Sequence, residues 1–98
     1  MLNQAKKKGS FIMEKFYCIV KRANDLYYAY DGKQFINLDE VTYKDGNYWN
    51  NEAPLVSFKS YHEAEEAASL IYYIDRSVIS TTICKDKIEL YGTTIRCA

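Results

Sequence analysis

Residues 60–75 form the only long segment of this chain with a clear helical period, and that segment limits what the rest can fold into. Ser60 is a strong N-cap, because its hydroxyl can accept a hydrogen bond from a backbone N–H that the first helical turn leaves unpaired. Glu63 follows three residues later, completing the spacing of a capping box. On a helical wheel of about 100° per residue, Ala64, Ala67, Ala68, Leu70, Ile71 and Ile74 fall on one continuous arc. His62, Glu65, Glu66, Ser69 and Tyr73 fall on the opposite one. Three alanines on the apolar arc suit close approach to a sheet, and alanine has the best helix propensity. Asp75 returns to the apolar arc, which places the helix end there.

What surrounds this helix reads as strands. From Lys15 to Arg22, Phe16, Cys18 and Val20 alternate with Tyr17, Ile19 and Lys21. After a turn at Ala23-Asn24-Asp25, Leu26 to Tyr30 returns, and Asp31-Gly32 turns again. Residues 34–41 read as a short strand with an irregular exit. Val41-Thr42-Tyr43 and Tyr48-Trp49 flank Asp45-Gly46, the signature of a tight hairpin. Residues 50–54 read as a polar loop, and residues 55–58 as a short strand feeding the helix cap. Beyond the helix, residues 78–84 and 88–91 are strands joined at Lys85-Asp86-Lys87, and residues 93–97 form a last short strand after Gly92. The prediction is an α+β domain: an antiparallel sheet of five to six short strands with one helix, Ser60 through Asp75, packed on one face. One helix leaves the second sheet face open, lined by Tyr17, Ile19, Tyr28 and Tyr30.

The chain of 98 residues is long enough for a single domain, expected over residues 13–98. Residues 1–12 read differently. Lys6-Lys7-Lys8-Gly9-Ser10 back-translates into a purine-rich run resembling a bacterial ribosome-binding sequence, with Met13 a short spacer downstream. The expectation is a translated leader or disordered tail; the rival is a basic tail that touches an acidic partner. No apolar run approaches the roughly 20 residues of a membrane span, and no apolar signal-peptide core opens the chain, so a cytoplasmic setting is expected.

The balance of 13 basic against 13 acidic residues argues against a dedicated nucleic-acid binder, whose affinity would come mainly from phosphate neutralisation. Cys18, Cys84 and Cys97 show no metal-ligand spacing and are expected as reduced, mostly buried thiols, with a Cys18–Cys97 or Cys84–Cys97 bridge as the alternative. Ten tyrosines stand out. Residues with A+T-rich codons (Lys, Asn, Ile, Tyr, Phe, Met) far outnumber Gly, Ala, Arg and Pro, which points to an A+T-rich coding genome. Part of the tyrosine excess is therefore mutational.

Catalytic signatures are weak. The single histidine, His62, shares a helix face with Glu66, but two ligands do not make a metal site. The cysteines lie in predicted strands, where burial makes thiols inert. The four glycines form no phosphate loop. No enzyme activity, cofactor or metal is expected. Tyrosine and tryptophan are favoured interface anchors, and two places leave them unexplained by folding: the hairpin carrying Tyr43, Tyr48 and Trp49, and the outer helix line of His62, Glu66 and Tyr73. The expected function is a small non-enzymatic protein-binding protein, of the kind phages or mobile elements use to inhibit a host defence protein. The alternatives are a nucleic-acid or nucleotide-binding module and an accessory protein that forms a homodimer through the open sheet face.

Overall fold

The computed structural model describes residues 14–91 and 94–97, with side chains from 14 to 88. The leader expected at residues 1–12 lies outside the described residues. Among the described residues, nine strands and one α-helix follow in order: β1 (Phe16–Arg22), β2 (Tyr27–Tyr30), β3 (Phe35–Asn37), β4 (Val41–Lys44), β5 (Asn47–Asn50), β6 (Ala53–Pro54), α1 (Tyr61–Ile74), β7 (Val78–Lys85), β8 (Ile88–Tyr91) and β9 (Thr94–Cys97). The α+β class is the one the sequence predicts, with more strands, divided among three antiparallel sheets. The largest has the order β3-β2-β1-β7; β4-β5-β6 and β8-β9 form the others.

Turn chemistry sets the strand ends. Asp45 and Gly46 both take positive φ (55° and 81°), as a two-residue I′ turn requires, and this turn registers Tyr43 opposite Tyr48. At Asp31-Gly32, the Asp31 carboxylate accepts from the N–H groups of Lys33 and Gln34, both at 2.8 Å, while Gly32 takes φ 97°. The irregular exit expected after β3 is a 3₁₀ turn over Leu38–Glu40, capped by Asn37. Two boundaries differ from expectation. Asn51 adopts φ 62°, so residues 50–54 form a hairpin that pairs Asn50 with Ala53, not an open loop. Residues 55–58 form no strand: Phe58 makes an isolated bridge to Phe16, and Leu55 N–H donates to Tyr48 O at 2.9 Å.

Strand β1 is the centre of the molecule, buried from Phe16 to Val20 on both faces. Its register places Cys18 beside Tyr30 and Val20 beside Tyr28, under the helix. There Cys18, Val20, Tyr30, Ala68, Ile71 and Val78 form one core. On the other face Tyr17, Ile19, Ala29, Leu38, Leu55 and Cys84 form a second, with Val41, Tyr48 and Ile88 packed against it. The open face is thus corrected. Tyr17 and Ile19 are 3% and 1% exposed beneath the second sheet, and Tyr28 and Tyr30 belong to the helix face. That is the face through which a homodimer is expected. The chain itself fills it, because both faces of a strand this apolar must be covered.

The helix begins and ends as expected: the Ser60 hydroxyl accepts from Glu63 N–H at 3.1 Å, and Asp75 closes the last turn through its N–H to Ile71 O at 2.8 Å. Its buried stripe is narrower than the wheel implies. Ala64, Ala68 and Ile71 are buried, whereas Leu70 and Ile74 are 58% and 67% exposed. The helix rests on β1 and β7, so only residues pointing straight down meet the sheet.

The cysteine expectation also changes. Cys18 is free and buried, which excludes a Cys18–Cys97 bridge; burial pushes its thiol up to about 11. Cys84, fully buried on β7, is disulfide-bonded. The side chain of Cys97 lies outside the described residues.

Candidate functional site

The residues singled out in the sequence divide between two opposite sides of the main sheet. Tyr48 belongs to the core beneath one face, and the helix carrying His62, Glu66 and Tyr73 covers the other.

On the hairpin side, register separates the aromatics. Tyr43 and Tyr48 are paired and share a face, while Trp49, paired with Thr42, takes the other. Tyr48 is occupied by structure. Its ring meets Tyr17 edge-on at 5.4 Å. Its hydroxyl donates to Ile88 O at 3.0 Å and accepts from Ile88 N–H at 2.6 Å, pinning β8 to the second sheet. Burial, with Tyr48 alongside, pushes the Tyr17 phenol up to about 12, so the Tyr17 ring stays a neutral packing group. Tyr43 is half exposed, tilted on Tyr48 at 4.8 Å, with the Lys87 ammonium 5.0 Å from its ring. The Trp49 indole donates to Lys44 O at 3.1 Å and borders a shallow depression with Thr42, Asp45, Asn51 and Glu52. Beside β6, a cleft of about 130 Å³ is lined by Ile36, Asn50 and Leu55 among others. The Asn50 Oδ1 atom is buried there with no hydrogen-bond partner among the described residues.

On the helix side, His62 and Glu66 stand 3.5 Å apart, 77% and 65% exposed. An exposed pair of this kind contributes little to stability. Among the described residues no group of three or more His, Cys, Asp or Glu converges to hold a metal. Tyr73 is 87% exposed, the most exposed large apolar residue of the described chain.

Sequence reasoning missed Tyr73's neighbours. Leu70, Tyr73 and Ile74 stand at i, i+3 and i+4, so they share one helix flank, and all three are more than half exposed. Glu66 borders this flank one turn before Leu70, and Glu63 two turns before it. The signal was present: the wheel's apolar arc is wider than a helix resting on two strands can bury. The other flank, toward β7, carries Tyr61, Glu65, Ser69 and Tyr72.

Below the helix end, Arg22 ties β1 to the chain leaving the helix. Its guanidinium donates to Asp75 Oδ2 and to Ser77 Oγ, each at 3.0 Å, and lies over the rings of Phe35 (4.6 Å) and Tyr28 (5.1 Å). Asp75 also accepts from Ser77 Oγ at 2.6 Å and Ser77 N–H at 2.9 Å. These hydrogen bonds from Ser77, with Arg22 adding to them, hold its carboxyl below the usual 3.8. The exposed flank thus ends on a braced C-terminus. Among the described residues no helix is long and apolar enough to cross a membrane. Compared with protein-family models, curated proteins and solved structures, the chain matches none of them.

Proposed function

We propose that this is a small non-enzymatic protein-binding protein that presents the Leu70–Tyr73–Ile74 flank of α1 to an apolar groove on its partner. The observation that carries this reading is the exposure of those three residues at 58%, 87% and 67% on one helix flank. Interfaces draw most of their energy from a few aromatic and aliphatic anchors, and an apolar helix flank set into a groove is a recurring recognition mode. Burial elsewhere accounts for most of the other aromatics, whereas folding gives Tyr73 no role.

The partner in this reading is a host protein, and the chain a phage or mobile-element inhibitor of a defence factor. The excess of residues whose codons are A+T-rich supports that source. A cytoplasmic setting goes with such a target. The disulfide at Cys84 pulls the other way, because cytosolic thiols are kept reduced. Single-strand nucleic acid would need an aromatic platform, and the sheet face expected to supply one is buried.

The test is affinity capture from a low-GC bacterial lysate with the wild-type chain and with Tyr73→Ala, followed by binding measurements on the protein retained. Tyr73→Ala should weaken binding at least tenfold, about 1.4 kcal/mol, with an unchanged circular dichroism spectrum. A folded Tyr73→Ala, Leu70→Ser double variant that binds like wild type would move the surface to the hairpin face of Trp49.

A further inference from the structure

The two edges of the main sheet are unlike. The β3 edge is three residues long and runs straight into a 3₁₀ turn bearing Asp39 and Glu40, a short acidic end of the kind that discourages pairing. The β7 edge is eight residues long, Val78–Lys85. From Val78 to Cys84 it carries no charge and no proline. Among the described residues no strand hydrogen-bonds to its outer side, and β9 approaches β7 while pairing only with β8. Ile79 on it is 55% exposed. Long, neutral, β-branched edges are ready templates for another strand.

We propose that β7 pairs antiparallel with β7 of a second copy of this chain, joining two four-stranded sheets into one of eight. The occupant is a second copy because the edge is self-complementary. Centred on Thr81, the sequence Ser80-Thr81-Thr82 sets Ser80 opposite Thr82 of the second copy and Thr81 opposite itself, and brings Ile83 against Ile79, the residue at which the β1–β7 register shifts. Each pair matches β-branched with β-branched or hydroxyl with hydroxyl, the combinations that stabilise cross-strand neighbours. Residues directly opposite each other share a sheet face, so this register puts both helices on the same side. The groove between α1 and β7, lined by Tyr61, Ser69, Tyr72, Thr81 and Ile83, is then covered by the second copy's helix. Tyr61 and Tyr72, 52% and 43% exposed in the single chain, lose that exposure. The Leu70–Tyr73–Ile74 flank lies on the helix side away from β7 and stays open in the dimer, so the proposal stands or falls apart from the partner-binding reading.

The experiment is light scattering coupled to size-exclusion chromatography on the full chain, across a concentration series. Wild type should run at twice the 11.4 kDa chain mass. Thr81→Lys and Thr81→Glu each set like charges opposite one another across the two-fold axis, which disfavours pairing. Each should be monomeric at concentrations where wild type is dimeric. An equimolar mixture of the two should recover the dimer, showing that both variants are folded and that Thr81 faces itself. A wild type that stays monomeric at high concentration overturns the proposal. So does a dimer indifferent to both charges, or a mixture that fails to reassociate.

Discussion

A single side chain, Arg22, joins three parts of the molecule: the end of β1, the aromatic pair Tyr28–Phe35, and the chain leaving α1 at Asp75 and Ser77. Lysine keeps the charge but has neither the planar face nor the fork of donors. Arg22→Lys should therefore cost about 1–3 kcal/mol in urea unfolding. The acid at the centre of this cluster gives a pH signature. The folded carboxyl of Asp75 titrates below its ordinary 3.8, so the fold favours the charged form. Its contribution is complete above the unfolded value and is lost as pH falls through 3.8 toward the lower folded value. Asp75→Asn should lower the melting temperature at neutral pH, and its deficit should shrink as the pH falls below 3.8. A deficit constant across that window would mean the carboxylate charge plays no part. The sequence offered no hint of this cluster, because 53 positions separate Arg22 from Asp75 and neither residue stands in a motif.

The helix was legible at both ends and only partly across its width. Ser60, Glu63 and Asp75 are local signals, and their roles depend on a few neighbouring backbone groups. Which apolar residues become core depends on what lies underneath. Ala64, Ala68 and Ile71 point at β1 and β7, while Leu70 and Ile74 overhang them, and a wheel treats all five alike. The same substitution on the two kinds of position separates them. Ala68→Lys sets an unpaired charge against Cys18 and Val20 and should cost roughly 3–5 kcal/mol or prevent folding. Leu70→Lys, on an exposed flank, should stay within about 0.5 kcal/mol of wild type. Equal effects in thermal melts would show that Leu70 is part of the core after all.

At the scale of the whole molecule, the main sheet is a partition with a core on either side, and β1 is the strand both cores share. The second core could not be read from local pattern. Its members come from a 3₁₀ turn (Leu38), an irregular segment (Leu55), a hairpin (Tyr48) and two strands beyond the helix (Cys84, Ile88), and only the closed fold brings them to Tyr17 and Ile19. Strand alternation in β1 predicted one buried face, whereas a central strand covered on both sides has no solvent face. Cys84 sits in this second core and is disulfide-bonded. A native bridge in a small domain contributes typically about 2–4 kcal/mol, model-dependent in mechanism. At roughly 4–8 °C per kcal/mol for a domain of this length, reductant should lower the melting temperature by about 10 °C or more. Cys18, 1% exposed and with its thiol pushed up to about 11, should stay unlabelled by a thiol reagent in the native protein under both conditions. A melting curve indifferent to reductant would mean that the second core holds together by packing alone. Rapid labelling of Cys18 without reductant would mean instead that the helix opens from the sheet readily, and would remove the rigid support on which the exposed flank of α1 depends.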